Sequence, residues 1–110
     1  MTMKHLLLTA ACLGLTFALA SANATGNPQN GKKLVYTCAG CHGIVGYKNA
    51  YPNYHVPKIG GQSEKYLVAA LTEYRKGERK HPTMQAQATS FSDQDIADIA
   101  SYLSTLGTHK

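Results

Sequence analysis

The sequence lacks the patterns that define sheet-based folds. It shows no strand-length alternation of apolar and polar residues, no internal repeat and no low-complexity tract. An all-α domain is therefore expected. Acidic residues are also few, since six Asp and Glu stand against eleven Lys and Arg, and the formal net charge is +5. A balance this mild permits docking on acidic partner proteins and does not predict binding of nucleic acid.

Long hydrophobic runs are absent except for one near the amino terminus. A lysine precedes the fifteen largely apolar residues 6–20, and the small-x-small triplet 22–24 follows them. Because a membrane-spanning helix needs about 20 apolar residues, this order predicts a secretory signal peptide over residues 1–24 that is cleaved from the chain. Cleavage after Ala20 and an uncleaved anchor are the alternatives. The expected mature domain, residues 25–110, is periplasmic and has no stable membrane anchor.

Cysteine is scarce as well. The chain has three cysteines, of which Cys12 falls in the predicted signal peptide and only Cys38 and Cys41 remain. These two lie too close together in sequence to cross-link a whole domain. A domain of this size has a limited core, and small domains often depend on a disulfide, a metal or another internal support. The sequence therefore predicts that something other than a disulfide completes the core.

Three segments have the spacing and the end signals of helices. They extend over about 28–36, 63–77 and 92–107, with a capping residue at the start of each and a glycine as the last residue of the second and third ranges. Gly31 lies inside the first helix, which suggests close approach by another helix. The connecting segments 43–61 and 78–90 show no helical period, and loops of this length in a compact domain need a reason. A large apolar group at the centre would supply it.

Residues 38–42 read Cys-Ala-Gly-Cys-His, a C-x-x-C-H motif that is typical of covalent c-type haem attachment. Two thiols three positions apart on one helical turn can reach the two vinyl groups along one porphyrin edge, and His42 can then face the iron. The alternatives are a disulfide, a thiol redox pair and a zinc site. A redox pair calls for a βαβ context, and a zinc site needs a fourth ligand; the sequence offers neither.

Methionine supplies a candidate for the sixth iron ligand. Met84 is the only methionine beyond the predicted signal peptide, and a thioether ligand suits an electron-transfer iron. It is expected in the loop between the second and third helices, where the chain can cross the opposite haem face. His55 and His81 are the alternatives.

Four stretches together resemble class I monohaem c-type cytochromes of the cytochrome c553 and cytochrome c4-like group. They are CAGCHG at 38–43, VPKIGGQSEKYLVAALTEYRKGER at 56–79, the isolated TM at 83–84 and FSDQDIADIASYL at 91–103. The resemblance implies a cytochrome c fold with three main helices and long loops wrapped around one covalently bound haem c. The residues it implies as haem-binding are Cys38, Cys41, His42, Pro57, Ile59 and Met84.

The resemblance also implies what each of these residues does. The two cysteines form thioether bonds, and His42 and Met84 are the axial ligands of the iron. The Pro57 carbonyl accepts the Nδ1 proton of His42, and Ile59 packs on the haem. Gly31 and Tyr102 meet where the first and last helices cross.

This chain departs from the pattern of that group in two respects. Cytochromes c4 carry two haems on a chain about twice as long, so the sequence resembles one half of such a protein. The loop 44–56 is longer than expected, and it carries an unusual set of ring side chains. They are Tyr47, Tyr51, Tyr54 and His55.

The functional prediction is a soluble electron carrier and not an enzyme, because an iron with both axial positions filled has no open site for a substrate. Its expected partners are redox proteins that donate or accept electrons. Two alternatives stay open. One is a haem subunit of a dehydrogenase or oxidase complex, and the other is a haem protein that binds a small ligand if Met84 is not bound.

Overall fold

The computed structural model describes residues 24–44 and 56–107. The predicted signal peptide up to residue 23 and the four ring side chains of the loop 44–56 lie outside the described residues. Within the described part, all regular structure is helical and no strand occurs, which confirms the predicted all-α class. Five helices follow one another: α1 Pro28–Leu34, α2 Tyr36–His42, α3 Glu64–Lys76, α4 Pro82–Thr89 and α5 Asp93–Thr105.

The predicted capping residues stand at the helix ends. Asn27 caps α1 through its side-chain oxygen, and Ser63 caps α3 in the same way. Ser92 and Asp95 form a complete capping box on α5. Gly77 ends α3 in the left-handed conformation, with φ of 75°. Because each cap satisfies amide groups that the helix cannot, such a residue stabilises its helix by about 1 kcal/mol.

The first predicted helix is divided in two. Val35 separates α1 from α2, with φ and ψ of −69° and −2°, and its amide still bonds to the Gly31 carbonyl. α2 therefore begins at Tyr36 and carries the whole C-x-x-C-H motif. The buried Val35 side chain is part of the core, so the break occurs where the chain turns an apolar residue inward.

The prediction of an irregular segment over 78–90 was wrong, because residues 82–89 form α4. Pro82 occupies the first helical position and His81 caps the helix, so the element is specified at its start. Its sequence mixes Ala and Gln, which favour helices, and it has no apolar stripe. Ala88 is its only buried residue. Periodicity could therefore not reveal this helix.

The tightest packing lies at the crossing of α1 and α5. A Cβ added to Gly31 would overlap the carbonyl oxygen of Asp98 and lie 2.9 Å from Tyr102 Cβ. Only glycine allows the two backbones to approach this closely. The predicted meeting of Gly31 and Tyr102 is confirmed.

A buried carboxylate joins the same two helices. Asp98 is 2% exposed and accepts hydrogen bonds from Asn27 N at 2.7 Å, Asn30 Nδ2 at 2.7 Å and Gln94 Nε2 at 2.8 Å. The bond from the Asn27 amide, followed by that from Asn30, lowers the pKa of Asp98 against the opposing effect of burial. The charge is therefore buried and fully partnered.

The apolar core extends from this crossing towards the C-x-x-C-H motif. Its largest fully buried side chains are Ile96, Ile99 and Leu103, all on α5. Ile99 and Leu103 share one cluster with Leu67 from α3 and Ala39 from α2. α5 thus serves as the central element on which the helices around the motif are assembled.

Candidate functional site

The helix α2 carries three of the predicted site residues in one turn. Ala39 is 2% exposed and anchors the helix in the core, while Cys38, Cys41 and His42 are half-buried at its edge. A Cβ added to Gly40 would meet no other atom within 4 Å. The motif therefore lies at the boundary of the apolar core, and the helix backbone is open at Gly40.

The surroundings of Cys38 do not favour redox exchange. Neither Cys38 nor Cys41 forms a disulfide. Burial raises the pKa of the Cys38 thiol, a charge on Cys41 would raise it further, and a contact with Thr37 partly opposes both effects. Cysteines that exchange disulfides have lowered pKa values, because the thiolate is the attacking group. The local environment therefore does not favour a thiol redox pair.

The imidazole of His42 is oriented by a backbone carbonyl. Its Nδ1 lies 2.8 Å from the carbonyl oxygen of Pro57. A carbonyl can only accept, so Nδ1 must carry the proton in this hydrogen bond. In the neutral ring, Nε2 then keeps its lone pair and can bind a metal.

Ile59 follows closely on this contact and is held in place by α5. Its side chain packs, half-buried, against the core that includes Ala39. The amide of Gly61 bonds to the Leu103 carbonyl at 2.8 Å, which ties this segment to the last helix. The Ile59 side chain therefore sits on a fixed backbone and is only partly covered by protein.

Several apolar side chains that pack on the same core as Ala39 are also partly exposed. They are Leu34, Ile59, Val68, Leu71, Phe91 and Leu106. Partly exposed apolar side chains on the core that carries the motif, together with two free thiols and an oriented imidazole, fit a large, flat, apolar group with a metal at its centre. The donor set and its surroundings are therefore compatible with a covalently bound haem.

Met84 lies on α4, away from the motif helix. It is the third residue of α4, and its side chain is half-buried. Among the described helices, α4 packs against α3, and its backbone does not approach that of α2. The structure thus brings Cys38, Cys41, His42, Pro57 and Ile59 to one region, whereas Met84 stands on a separate helix that packs on α3.

The side chain of His81 has a role that the sequence did not reveal. Its Nδ1 accepts a hydrogen bond from the Met84 amide at 3.2 Å and so caps α4. This use of the Nδ1 lone pair counts against His81 as an iron ligand. The sequence signal was the His-Pro pair just before Met84, which can open a helix. His55, the other alternative ligand, lies outside the described residues.

The described residues offer no other metal centre. In ranges 24–44 and 56–107, no three His, Cys, Asp or Glu side chains are grouped closely enough to hold a metal ion. A zinc site built on the motif would need such a group. Across the same ranges, every helix is too short or too polar to cross a membrane.

Comparison with known proteins gives consistent matches. The family model described as cytochrome c matches residues 28–107. Cytochrome c4 of Pseudomonas aeruginosa is 39% identical over 93 residues, which cover 84% of this chain and 43% of that protein. Cytochrome c-553 of Helicobacter pylori strain J99 is 39% identical over 75 residues, or 68% of this chain and 76% of that protein.

A third relative is named for a complex. The cytochrome subunit of sulfide dehydrogenase of Chlorobaculum tepidum is 33% identical over 78 residues, which cover 71% of this chain and 67% of that subunit. The lengths of the relatives differ, and the chain spans less than half of the cytochrome c4 it matches.

Proposed function

The chain belongs to the cytochrome c family, of the cytochrome c4 and c553 kind, and on that premise we propose that it is a soluble periplasmic electron carrier. Haem-based electron transfer is the activity that the family supports, and a covalently bound haem c is the cofactor that the family implies. Our proposal adds one haem per chain, His42 and Met84 as the axial ligands, and thioether bonds from Cys38 and Cys41. Bound in this way, the haem supplies a site that takes up and releases one electron.

The residues around the motif have separate tasks in this proposal. Cys38 and Cys41 fix one edge of the haem to α2. His42 presents Nε2, and the Pro57 carbonyl holds the ring in that orientation. Ile59 and the other half-exposed apolar side chains keep water away and lower the local dielectric, which tunes the potential. Met84 would provide the second ligand to the iron and leave no position for a substrate, and we infer that the protein is not an enzyme.

One observation carries the proposal: the 2.8 Å contact between His42 Nδ1 and the Pro57 carbonyl oxygen. The contact fixes the tautomer that leaves Nε2 free for iron, and it does so directly beside two thiols that are not cross-linked. A histidine that served only the core would have no need of a free Nε2 next to a thiol pair. The combination supports haem attachment over the alternatives for this motif.

Electron donors and acceptors would approach the face that carries the motif. Tyr36, the residue at the start of α2, is 74% exposed, and Lys32 and Lys33 are exposed on the preceding turn of α1. We propose that redox partner proteins dock near this basic, partly aromatic surface. Rates of electron exchange with an acidic partner should then fall as salt rises, because salt screens exposed charges.

The test is spectroscopic. A pyridine haemochrome spectrum and an iron determination on the purified protein should give one haem c per chain. The ferric protein should show the far-red charge-transfer band of a methionine–iron bond, and the ferrous protein should not bind carbon monoxide readily. Absence of that band together with ready carbon monoxide binding would instead favour a ligand-binding haem protein.

The complex-subunit alternative has a specific observation in its favour, because one relative is the cytochrome subunit of sulfide dehydrogenase. It differs from a free carrier only in the permanence of the partner. Gel filtration of a periplasmic extract separates the two. A free carrier elutes at the size of a single small domain, and a subunit co-elutes with its dehydrogenase.

A further inference from the structure

We propose that His81 is a positioning residue for Met84. Its imidazole caps α4 and so fixes the helical turn that carries the Met84 thioether. The assignment rests on the proposed function, because it takes Met84 to be the axial ligand. It gives His81 a task distinct from iron ligation: holding the backbone of the residue that provides the ligand.

Two hydrogen bonds join His81 to the first turn of α4. The Met84 amide donates to the His81 ring at 3.2 Å, and the Gln85 amide donates to the His81 carbonyl at 2.8 Å. Pro82, at the first helical position, has no amide hydrogen to satisfy. The hydrogen bond that the His81 side chain accepts therefore fixes the backbone of the methionine itself.

The ring of His81 is in turn held against α3. It lies edge-on to the ring of Tyr74, with the centroids 6.4 Å apart and the planes at 80°, a favoured aromatic geometry. The guanidinium of Arg79 lies 5.3 Å from the Tyr74 centroid and 5.6 Å from that of Tyr66. A continuous series of contacts therefore runs from two tyrosines of α3 to the start of α4.

The helix α4 depends on its ends more than the other long helices do. Ala88 is its only buried residue, whereas α5 buries six. Among the described helices, α4 packs on α3 alone. With so little apolar anchoring, loss of the His81 cap should free the first turn and let the Met84 side chain leave its place more often.

The test compares three variants of the haem-loaded protein, with imidazole as a probe that competes with methionine for ferric iron. His81→Ala removes the cap. His81→Asn keeps a side-chain oxygen that can accept the Met84 amide. Ser92→Ala is the matched control, because it removes the cap of α5, whose serine accepts from the Asp95 amide at 3.1 Å.

The apparent affinity for imidazole should rise about fivefold in His81→Ala, the factor that matches loss of a typical helix cap. It should stay near the unmodified value in His81→Asn and in Ser92→Ala, although the control variant is less stable. Hydrogen exchange of the Met84 amide, followed by NMR, should speed up only in His81→Ala. A merely structural role would lower stability without this selective pattern.

Three results would overturn the proposal. Equal imidazole affinity in His81→Ala and Ser92→Ala would show that the cap does not hold Met84. Equal gains in imidazole affinity in His81→Ala and His81→Asn would show that the imidazole ring itself is required, as expected of an iron ligand. Absence of the methionine–iron band from the unmodified protein would refute the proposed axial pair, and the positioning role with it; when the band is present, the variants test the positioning role alone.

Discussion

The crossing of α1 and α5 is closely packed, whereas the region around the motif leaves apolar side chains partly exposed. At the crossing, Gly31 brings two backbones together, and the buried carboxylate of Asp98 has three hydrogen-bond donors. In the motif region, the backbones of α2 and α4 stay apart, and several apolar side chains of the core are only partly buried. The polypeptide completes the first region by itself. In the second region, the haem that the family implies would cover apolar surface that the described residues leave partly exposed.

The largest effect should come from removing both thiols. In Cys38→Ala combined with Cys41→Ala, no covalent haem attachment can form, and the region around the motif loses its apolar partner. We expect no haem staining after denaturing electrophoresis and a much lower denaturation midpoint. Full stability without attached haem would show that the motif region, like the crossing, is complete without it.

The next largest effect should come from a change at Met84, which alters the motif region and leaves the crossing of α1 and α5 as it is. On the ligand set proposed above, Met84→Ala removes one axial ligand and keeps the haem attached, so the iron should become five-coordinate and its reduction potential should fall. The far-red band should vanish and carbon monoxide should bind readily. The control is Met84→His, which replaces the thioether with another ligand and should restore six coordination at a lower potential. An unchanged spectrum in Met84→Ala contradicts the assignment.

At the crossing, the largest expected effect is that of Asp98→Ala. The substitution leaves the Asn27 amide and the Asn30 side-chain amide without their acceptor, and it removes one of the two acceptors of the Gln94 side-chain amide. Because bonds to a buried carboxylate are stronger than neutral ones, the free energy of unfolding should fall by about 2–4 kcal/mol. Urea denaturation measures it. The methionine–iron band should persist under native conditions, and its loss would mean that the two regions are not independent.

The same carboxylate predicts a pH dependence. Its hydrogen bonds hold the pKa of Asp98 below the usual value, so the unfolded chain takes up a proton at a higher pH than the folded one. The stabilisation is complete above the ordinary Asp pKa of about 3.9 and is lost as pH falls through the lower folded value. As pH falls through this range, the free energy of unfolding of the unmodified protein should approach that of Asp98→Asn. Parallel curves would contradict the prediction.

The smallest of these effects should be that of Gly31→Ala. The added methyl group overlaps the Asp98 carbonyl, and the helices must move apart. Overpacking typically costs about 1–3 kcal/mol. Because the obstacle here is a backbone carbonyl, we expect a loss near the upper end of that range, which exceeds the roughly 1 kcal/mol that alanine gains in helix propensity. Thermal unfolding gives the difference. The matched variant is Gly40→Ala, where the structure shows open space, and it should be neutral or slightly stabilising.

Local chemistry made part of the fold predictable. The caps at Asn27, Ser63 and Ser92 depend on hydrogen bonds within a few residues, so the sequence alone indicates them. α4 escaped prediction because histidine is not a favoured cap residue and because the helix has no apolar period. The burial of Asp98 was also unforeseen, since its partner Asn27 is 71 positions away.

The same distinction between local and distant contacts applies to the site. The C-x-x-C-H motif is contiguous, so its chemistry can be read directly. The contact between His42 and Pro57 spans 15 positions, and only the resemblance to a family indicated it. The placing of Met84 opposite His42 depends on how α3 and α4 pack in the presence of the haem, and it stays a prediction.

That contiguity has a consequence for biogenesis. Because Cys38, Cys41 and His42 lie within five consecutive residues, a chain that has not yet folded already presents both thiols and the imidazole together. Attachment can therefore come first. The Pro57 carbonyl and α4 reach the motif region only after the intervening loops close. Loop closure costs entropy, and a haem that is already attached would help to offset this cost.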